Sequence, residues 1–304
     1  RADSSLGAEF NQFLKGLQDN LNPSVTKDDA IEMLAQHLIT KPVFDALFEG
    51  YAFSDTNPVS ISMNRMVAAL NSASINLEDE SLEGFYESVR LRVSGINDGG
   101  AKQKVVKELY EKFFRLAFAS TSEKLGIVYT PNEIVDFMIR SVDEILKKEF
   151  GAGLSARGVH VLDPFTGTGT FIVRLLQSGL ISASDLSHKF KTELHANELV
   201  LLAYYIAAIN IEETYHSLTK LYEPFQGIVL TDTFQMTEGG DELDSLGVFP
   251  DNNERVKHQN QLDIRVILGN PPYSIGQKSS NDSNLNKCFI DYILLLNQIF
   301  YKLK

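Results

Sequence analysis

The tetrapeptide Asn270-Pro271-Pro272-Tyr273 directly follows the apolar run Ile264 to Gly269. Within it, Ile264 to Leu268 is typical of a short buried strand, and the prolines predict a stiff turn after the strand because each fixes its own φ. Since prolines carry no N–H, the local carbonyls and the Asn270 amide are left to face a ligand. Fixed acceptors beside an aromatic ring suit a flat heterocycle with an exocyclic amine. A strand-ending proline turn with a packed tyrosine would explain the tetrapeptide equally well.

A second motif, Asp163-Pro164-Phe165-Thr166-Gly167-Thr168-Gly169-Thr170-Phe171, joins the predicted strand Val159 to Leu162 to the predicted helix Phe171 to Leu176. Strand, glycine turn and helix form the first unit of a doubly wound α/β sheet, which binds ligands at the carboxyl ends of its strands. Gly167 and Gly169 permit positive φ and close approach of the backbone to a ligand. The spacing fits neither the dinucleotide motif nor the phosphate loop, since no lysine follows.

With these two motifs the chain resembles the amino-methyltransferases that use S-adenosylmethionine, specifically the DNA adenine-N6 methyltransferases. Asp163 to Phe171 resembles their cofactor-binding motif I, and Asn270 to Tyr273 resembles their catalytic motif IV. Gly126 to Pro131 resembles motif X, which helps to hold the methionine end of the cofactor. The order X, I, IV resembles the γ arrangement, in which the target recognition domain lies C-terminal to the catalytic domain.

The motif X region also predicts the start of a helix on physical grounds. Thr130 and Glu133 have the spacing of a capping box, and Pro131 would take the first helical position. Such a helix N-terminus offers free N–H groups and partial positive charge, which suit a carboxylate. An ordinary helix start without a ligand would have the same pattern.

Two acids complete the cofactor pocket that the resemblance implies. Glu198 follows the predicted strand Glu193 to Asn197, where a carboxylate can accept hydrogen bonds from ribose hydroxyls. Glu193, at the start of that strand, is the alternative. Asp232 follows the predicted strand Gly227 to Thr231 and would accept from the adenine amine of the cofactor, as in motif III. Either acid could instead cap a helix or turn.

By the resemblance, Phe234 packs on the adenine ring of the cofactor. The full set of predicted cofactor-binding residues is Tyr129, Thr130, Pro131, Asp163, Phe165, Thr166, Gly167, Thr168, Gly169, Phe171, Glu198, Asp232 and Phe234.

The chemistry that the resemblance implies is direct methyl transfer to N6 of an adenine flipped out of double-stranded DNA. N6 is a poor nucleophile because its lone pair is delocalised into the ring. Acceptance of both N6 hydrogens, by the Asn270 side chain and the Pro271 carbonyl, would localise the lone pair and stabilise the developing positive charge. Tyr273 would stack on the base, whose extrusion costs about a few kcal/mol.

The composition limits the setting of this chemistry. The 304 residues are 43% hydrophobic, enough to bury the cores of two domains. There is no run long enough to span a membrane and no signal peptide, and the single Cys288 fits a reducing cytoplasm. The six histidines lack the spacing of metal ligands, so no metal is predicted. The absence of an initial Met indicates a piece of a longer chain.

The net charge of −12, from 40 acidic and 28 basic residues, is unusual for an enzyme that must contact DNA phosphates. Either the basic surface is local, or the main DNA-binding domain is absent. The second explanation fits the position of Tyr273 close to the end of the sequence. After it, the polar segment Gly276 to Asn284 predicts a mobile loop beside the catalytic motif, and Leu285 to Leu303 predicts a helix.

Residues 1–120 contain no catalytic motif and predict an all-α helical domain. A helix is predicted to begin at Thr26 and to be interrupted by Pro42. Further helical patterns cover Met63 to Leu70, Leu82 to Val93, and Lys102 to Ala119. Residues 121–304 are then expected to form the methyltransferase domain, with a Rossmann-like α/β sheet and without the target recognition domain.

The N-terminal region, with its run Ile39 to Phe48, resembles the helical coupler of single-chain type I (type ISP) restriction-modification enzymes. In that family a nuclease and a helicase lie upstream and the recognition domain lies downstream. The resemblance therefore implies that the parent chain is also an ATP-dependent restriction endonuclease. A generic helical extension that packs on the catalytic domain is the alternative.

Two other functions are compatible with the motifs. The sequence Asn-Pro-Pro-Tyr also occurs in enzymes that methylate ribosomal RNA or a release-factor glutamine, whose amide nitrogen is similarly delocalised. The Tyr-Thr-Pro helix start and the large helical domain favour DNA. A non-catalytic coupling module that binds the cofactor as a sensor would not need the acceptors of motif IV.

Overall fold

The computed structural model describes residues 2–47, 53–72, 84, 87, 91, 130–234 and 247–271. Helices precede the sheet in these ranges: α1 (Ala2–Asn20), α2 (Lys27–Leu47), α3 (Phe53–Thr56), α4 (Pro58–Ser72) and α5 (Asn132–Phe150). The α/β part then comprises β1 (His160–Asp163), α6 (Thr170–Gln177), α7 (Leu186–His188), a π-helical turn (Lys189–Glu193), β2 (Leu194–Glu198), α8 (Leu201–Thr219), β3 (Ile228–Leu230), α9 (Pro250–Asn260) and β4 (Ile264–Ile267).

The strands of the described residues form one parallel sheet in the order β3-β2-β1-β4. From β1 the chain steps outward to β2 and β3, and β4 then returns to the other side of β1. The reversal makes a topological switch point between β1 and β4, where open α/β sheets bind their ligands. The predicted Rossmann-like sheet is confirmed, and each strand end lies within one residue of its prediction.

Helix α8 lies between the sheet and the N-terminal helices, which explains why it is apolar on nearly all sides. The Asn57 side chain donates to the Tyr204 hydroxyl over 3.1 Å, and His37 Nδ1 lies 3.0 Å from the Tyr205 hydroxyl. The rings of Phe44 and Phe53 meet the Tyr205 ring edge-on. The N-terminal helical region is therefore packed directly on the α/β part.

The predicted interruption at Pro42 is wrong, because α2 continues through it to Leu47. A proline inside a helix costs about 3 kcal/mol. Here the adjacent Val43 and Phe44 are buried in the core, and the Thr40 hydroxyl donates to a carbonyl of the preceding turn. The burial of Val43 and Phe44 and the Thr40 hydrogen bond outweigh the free-energy cost of Pro42 in the helix. Helices α1 and α9 were not predicted.

Some predictions fall outside the described residues: the helix Lys102 to Ala119, the loop Gly276 to Asn284 and the helix Leu285 to Leu303. Of the predicted helix Leu82 to Val93, only residues 84, 87 and 91 are described, and they are helical. In the described part of the chain, no helix is both long and apolar enough to cross a membrane. The same residues contain no cluster of three or more potential metal ligands.

Candidate functional site

The acids and amide singled out from the sequence lie at one edge of the sheet. Asp163 ends β1, Glu198 ends β2, Asp232 follows β3, and Asn270 follows β4. Because all four strands are parallel, their carboxyl ends emerge on the same side.

The glycine turn after β1 is held against α8. Gly167 and Gly169 have φ of 56° and 87°, which confirms the predicted positive φ. A Cβ on Gly169 would lie 3.2 Å from the Ala207 Cα, so close packing against α8 also favours glycine there. Asn210 Nδ2 donates to the Thr168 carbonyl over 3.0 Å. A Cβ on Gly167 would meet no described atom within 4 Å, which leaves this side of the turn open to a ligand.

Two predicted site residues of this turn make their contacts inside the protein. The Thr166 N–H donates to the Asn197 carbonyl, and the Thr166 hydroxyl donates to the Asp163 carbonyl, both over 3.0 Å. The Phe171 ring is buried in the hydrophobic core. These contacts position the turn.

Glu198 connects the glycine turn after β1 to the residues just before α8 by hydrogen bonds. Its Oε2 accepts from the Gly167 N–H over 2.7 Å, and its Oε1 accepts from the Leu199 and Val200 N–H groups over 2.9 and 2.7 Å. Burial raises the pKa of Glu198 to about 7, although the three backbone donors act to lower it. Glu198 therefore caps the turn that precedes α8, which is one of the roles that the sequence left open, whereas no side chain caps α8 itself. A carboxylate with three donors can still accept from a ligand.

The alternative acid, Glu193, belongs to a separate buried cluster. It pairs with Lys189 over 2.5 Å and accepts from the Gly158 N–H over 2.6 Å. Because Glu193 precedes the amino end of β2, it lies at the opposite edge of the sheet from the site.

Asp163 is fully buried and only partly satisfied. Its Oδ1 accepts from the Phe165 N–H over 3.2 Å, and no described donor reaches its Oδ2. Burial is the main cause that raises the pKa of Asp163 to about 8, and the neighbouring Glu198 carboxylate raises it further. An unsatisfied carboxylate oxygen at the switch point suits a ligand with a positive charge or a hydrogen-bond donor.

Asp232 and Phe234 meet the motif I turn. Asp232 Oδ1 accepts from the Phe234 N–H over 2.9 Å, and Asp232 Oδ2 accepts from Asn22 Nδ2 over 3.2 Å. The Phe234 and Phe165 rings have centroids 5.4 Å apart. The Thr233 hydroxyl donates to the Pro164 carbonyl over 2.7 Å.

The residues of motifs X and IV also adjoin. Asn270 Nδ2 donates to Thr130 Oγ1 over 3.0 Å. The predicted capping box is wrong: α5 begins at Asn132, Pro131 is its N-cap, and no side chain caps it. The Thr130 hydroxyl is engaged by Asn270 instead. A Cβ on Gly269 would lie 2.7 Å from Asp163 Oδ1, so the chain entering motif IV passes directly over motif I.

The remaining predicted site residues are placed as follows. Pro131 is exposed and Pro271 is half-buried, whereas Tyr129, Pro272 and Tyr273 lie outside the described residues.

Sequence reasoning missed four residues of this site. Three of them are next in the sequence to a predicted site residue, which is the only pattern that could have indicated them: Asn197, Thr233 and Gly269. Asn22 had no local signal, because 210 residues separate it from its partner Asp232.

Two family models match the chain. The coupler domain of type ISP restriction-modification enzymes matches residues 1–101, and the N-6 DNA methylase family matches residues 101–294. A comparison with curated proteins found no match.

Three solved structures are similar to the chain. A nuclease-deletion mutant of the type ISP restriction-modification enzyme LlaGI, in complex with a DNA substrate mimic, is 49% identical over 94% of this chain and 24% of its own, with a TM-score of 0.85. The ATP-dependent type ISP enzyme LlaBIII bound to DNA is 52% identical over 91% of this chain and 19% of its own, with a TM-score of 0.84. The DrdV–DNA complex is 37% identical over 92% of this chain and 27% of its own, with a TM-score of 0.80. The chain thus spans 19–27% of the length of these relatives.

Asp163 predicts a pH dependence of stability. Its folded pKa of about 8 is above its unfolded value of 3.8, so its favourable contribution is complete below pH 3.8 and is lost as the pH rises through 8. We expect the free energy of unfolding of the wild type to fall as the pH rises from about 5.5 to about 8.5. In Asp163→Asn the fall should be smaller than in the wild type by about 1 kcal/mol per pH unit. Urea denaturation measures this.

The matched control is Asp251→Asn, at an exposed position of α9. It should follow the wild-type pH dependence. Equal losses of stability in Asp163→Asn and wild type would contradict the burial of an unsatisfied carboxyl group.

Proposed function

The chain belongs to the N-6 DNA methylase family and carries the coupler region of the type ISP restriction-modification enzymes, and we propose its function from this membership. In this proposal it methylates adenine N6 in specific DNA sites and uses S-adenosylmethionine as the methyl donor. Membership gives the class of reaction. The arrangement of side chains at the switch point supports the finer statements on cofactor, target and residue roles.

The described residues fit the cofactor. S-adenosylmethionine carries a methyl group on a positively charged sulfur, together with an ammonium group, a ribose and an adenine. The unsatisfied Asp163 Oδ2 would accept from the ammonium, and the Glu198 carboxylate from the ribose hydroxyls. Asp232 would accept from the adenine amine, with the adjoining Phe165 and Phe234 rings against the base. A cationic ligand favours the ionised form of a buried carboxyl group, so its binding would lower the raised pKa of Asp163 and of Glu198.

The contact between Asn270 and Thr130 carries the proposal. Asn270 donates through Nδ2 to the Thr130 hydroxyl, so its Oδ1 remains the acceptor for an amine. With the Pro271 carbonyl it would accept both N6 hydrogens of a flipped adenine, localise the nitrogen lone pair and stabilise the charge that develops on nitrogen. The proximity of Gly269 to Asp163 supports a position of this acceptor pair beside the proposed cofactor pocket.

The DNA contacts belong to a larger protein in this proposal. The relatives LlaGI, LlaBIII and DrdV are bound to DNA or to a DNA mimic, and this chain spans only 19–27% of their lengths. We propose that the chain is the coupler and methylase part of an enzyme with nuclease, helicase and target recognition domains. The recognition domain would then supply the basic surface that a net charge of −12 does not predict here.

Replacement of the acceptor amide tests the chemistry. In the full-length enzyme, Asn270→Ala should lower the rate of N6-methyladenine formation by about 100-fold or more, because transition-state stabilisation is lost while cofactor binding is retained. Asn260→Ala, at an exposed position of α9, is the matched control. Nucleoside mass spectrometry after reaction with duplex DNA measures the product. Methylation of RNA or of a protein glutamine but not of DNA would contradict the proposed substrate, and equal rates in Asn270→Ala and wild type would contradict the proposed chemistry.

The orientation of Asn270 by Thr130 gives a second test. Thr130→Val removes the hydroxyl that accepts from Asn270 Nδ2, so the rate of methyl transfer at saturating cofactor should fall by about tenfold. Thr130→Ser keeps the hydroxyl and should retain most of the rate. Single-turnover kinetics measures both variants, and equal losses in Val and Ser would contradict the orienting role.

A further inference from the structure

The N-terminal helical region reaches the candidate cofactor pocket at one point. Asn22, in the loop between α1 and α2, donates through Nδ2 to Asp232 Oδ2 over 3.2 Å. The other carboxylate oxygen, Oδ1, accepts from the Phe234 N–H over 2.9 Å. A donor on each oxygen fixes the plane of the Asp232 carboxylate, and an ionised carboxylate has about four acceptor positions in all.

The Asn22 side chain is itself held in place. Its Oδ1 accepts from the Ser24 N–H over 2.9 Å, which leaves Nδ2 directed at Asp232. The Val25 N–H donates to the Asn22 carbonyl over 3.0 Å, and Gln18 Nε2 donates to the Val25 carbonyl over 2.9 Å. The preceding Leu21 is buried in the core. Asn22 therefore presents an oriented donor without further loss of side-chain freedom.

Helix α1 fixes this loop against the α/β part of the chain. The Phe13 ring packs 6.2 Å from the Phe249 ring, just before α9. Gly16 faces Val248 so closely that any side chain at position 16 would overlap it. These contacts keep Asn22 in register with Asp232 across a separation of 210 residues.

We propose that Asn22 is a positioning residue that orients Asp232 toward the 6-amino group of the cofactor's adenine. Through this contact the coupler region helps to determine which base the cofactor pocket accepts. The inference rests on the proposed function, because it takes Asp232 as the acceptor of that amine. A carboxylate fixed in plane discriminates an amino group from a carbonyl, since the carbonyl oxygen offers no hydrogen and repels the carboxylate.

The test compares two nucleosides that differ at position 6 and in the hydrogen on the adjoining ring nitrogen N1. S-adenosylhomocysteine has an amino group at position 6, and S-inosylhomocysteine has a carbonyl. Isothermal titration of both into the full-length enzyme gives a discrimination ratio, the dissociation constant of the inosyl compound divided by that of the adenosyl compound. We expect a ratio of about tenfold or more for the wild type, as for a hydrogen bond to a charged group.

Two variants separate the positioning role from a structural one. Asn22→Asp keeps the acceptor for the Ser24 N–H but places a carboxylate against Asp232, and Asn22→Ala removes both groups. In both, the ratio should fall by about fivefold or more, mostly through weaker binding of the adenosyl compound. Asn11→Ala, at an exposed position of α1, is the matched control and should keep the wild-type ratio.

The outcomes distinguish this inference from the proposed function. If Asn22→Asp and Asn22→Ala weaken both nucleosides equally, or leave the ratio unchanged, the positioning role is overturned while the cofactor pocket stands. If the wild-type enzyme binds neither nucleoside, or binds both equally well, the proposed role of Asp232 fails and the inference fails with it.

Discussion

The common direction of the four strands is the constraint on which this structure depends. In a parallel sheet every connection must return across the sheet, so all carboxyl ends open at one edge, and the reversal of strand order leaves a crevice between β1 and β4. Asp163 and Asn270 emerge on the two sides of that crevice, and Gly269 has no side chain to hold them apart. The same geometry buries Asp163 with one oxygen unsatisfied, a cost that a cationic ligand would offset.

Helix α8 contacts both the candidate pocket and the N-terminal helices. This helix supplies Ala207 and Asn210 to the glycine turn, and its first turn is tied to that turn through Glu198. Its other side receives the N-terminal helices through Tyr204 and Tyr205. One helix therefore links the candidate pocket to the coupler region, and the Asn22 contact supplies a second link.

Much of the α/β part was predictable from the sequence because its signals are local. Apolar runs bounded by turn residues gave every described strand within one residue, and Gly167 and Gly169 marked the turn. Features set by tertiary contacts were not predictable. The path of α2 through Pro42 depends on buried neighbours, and the Thr130 hydroxyl meets Asn270 rather than its own helix because a strand 140 residues away ends beside it. For the same reason the sequence around Asn22 did not indicate its contact with Asp232.

The most direct test of this account is a crystal structure of the chain with S-adenosylhomocysteine bound. We expect the adenine amine within hydrogen-bond distance of Asp232, the base against Phe234, the ammonium on Asp163 Oδ2, and the sulfur facing Asn270. A nucleoside bound away from the carboxyl ends of β1 and β3, or with its sulfur turned away from Asn270, would contradict it.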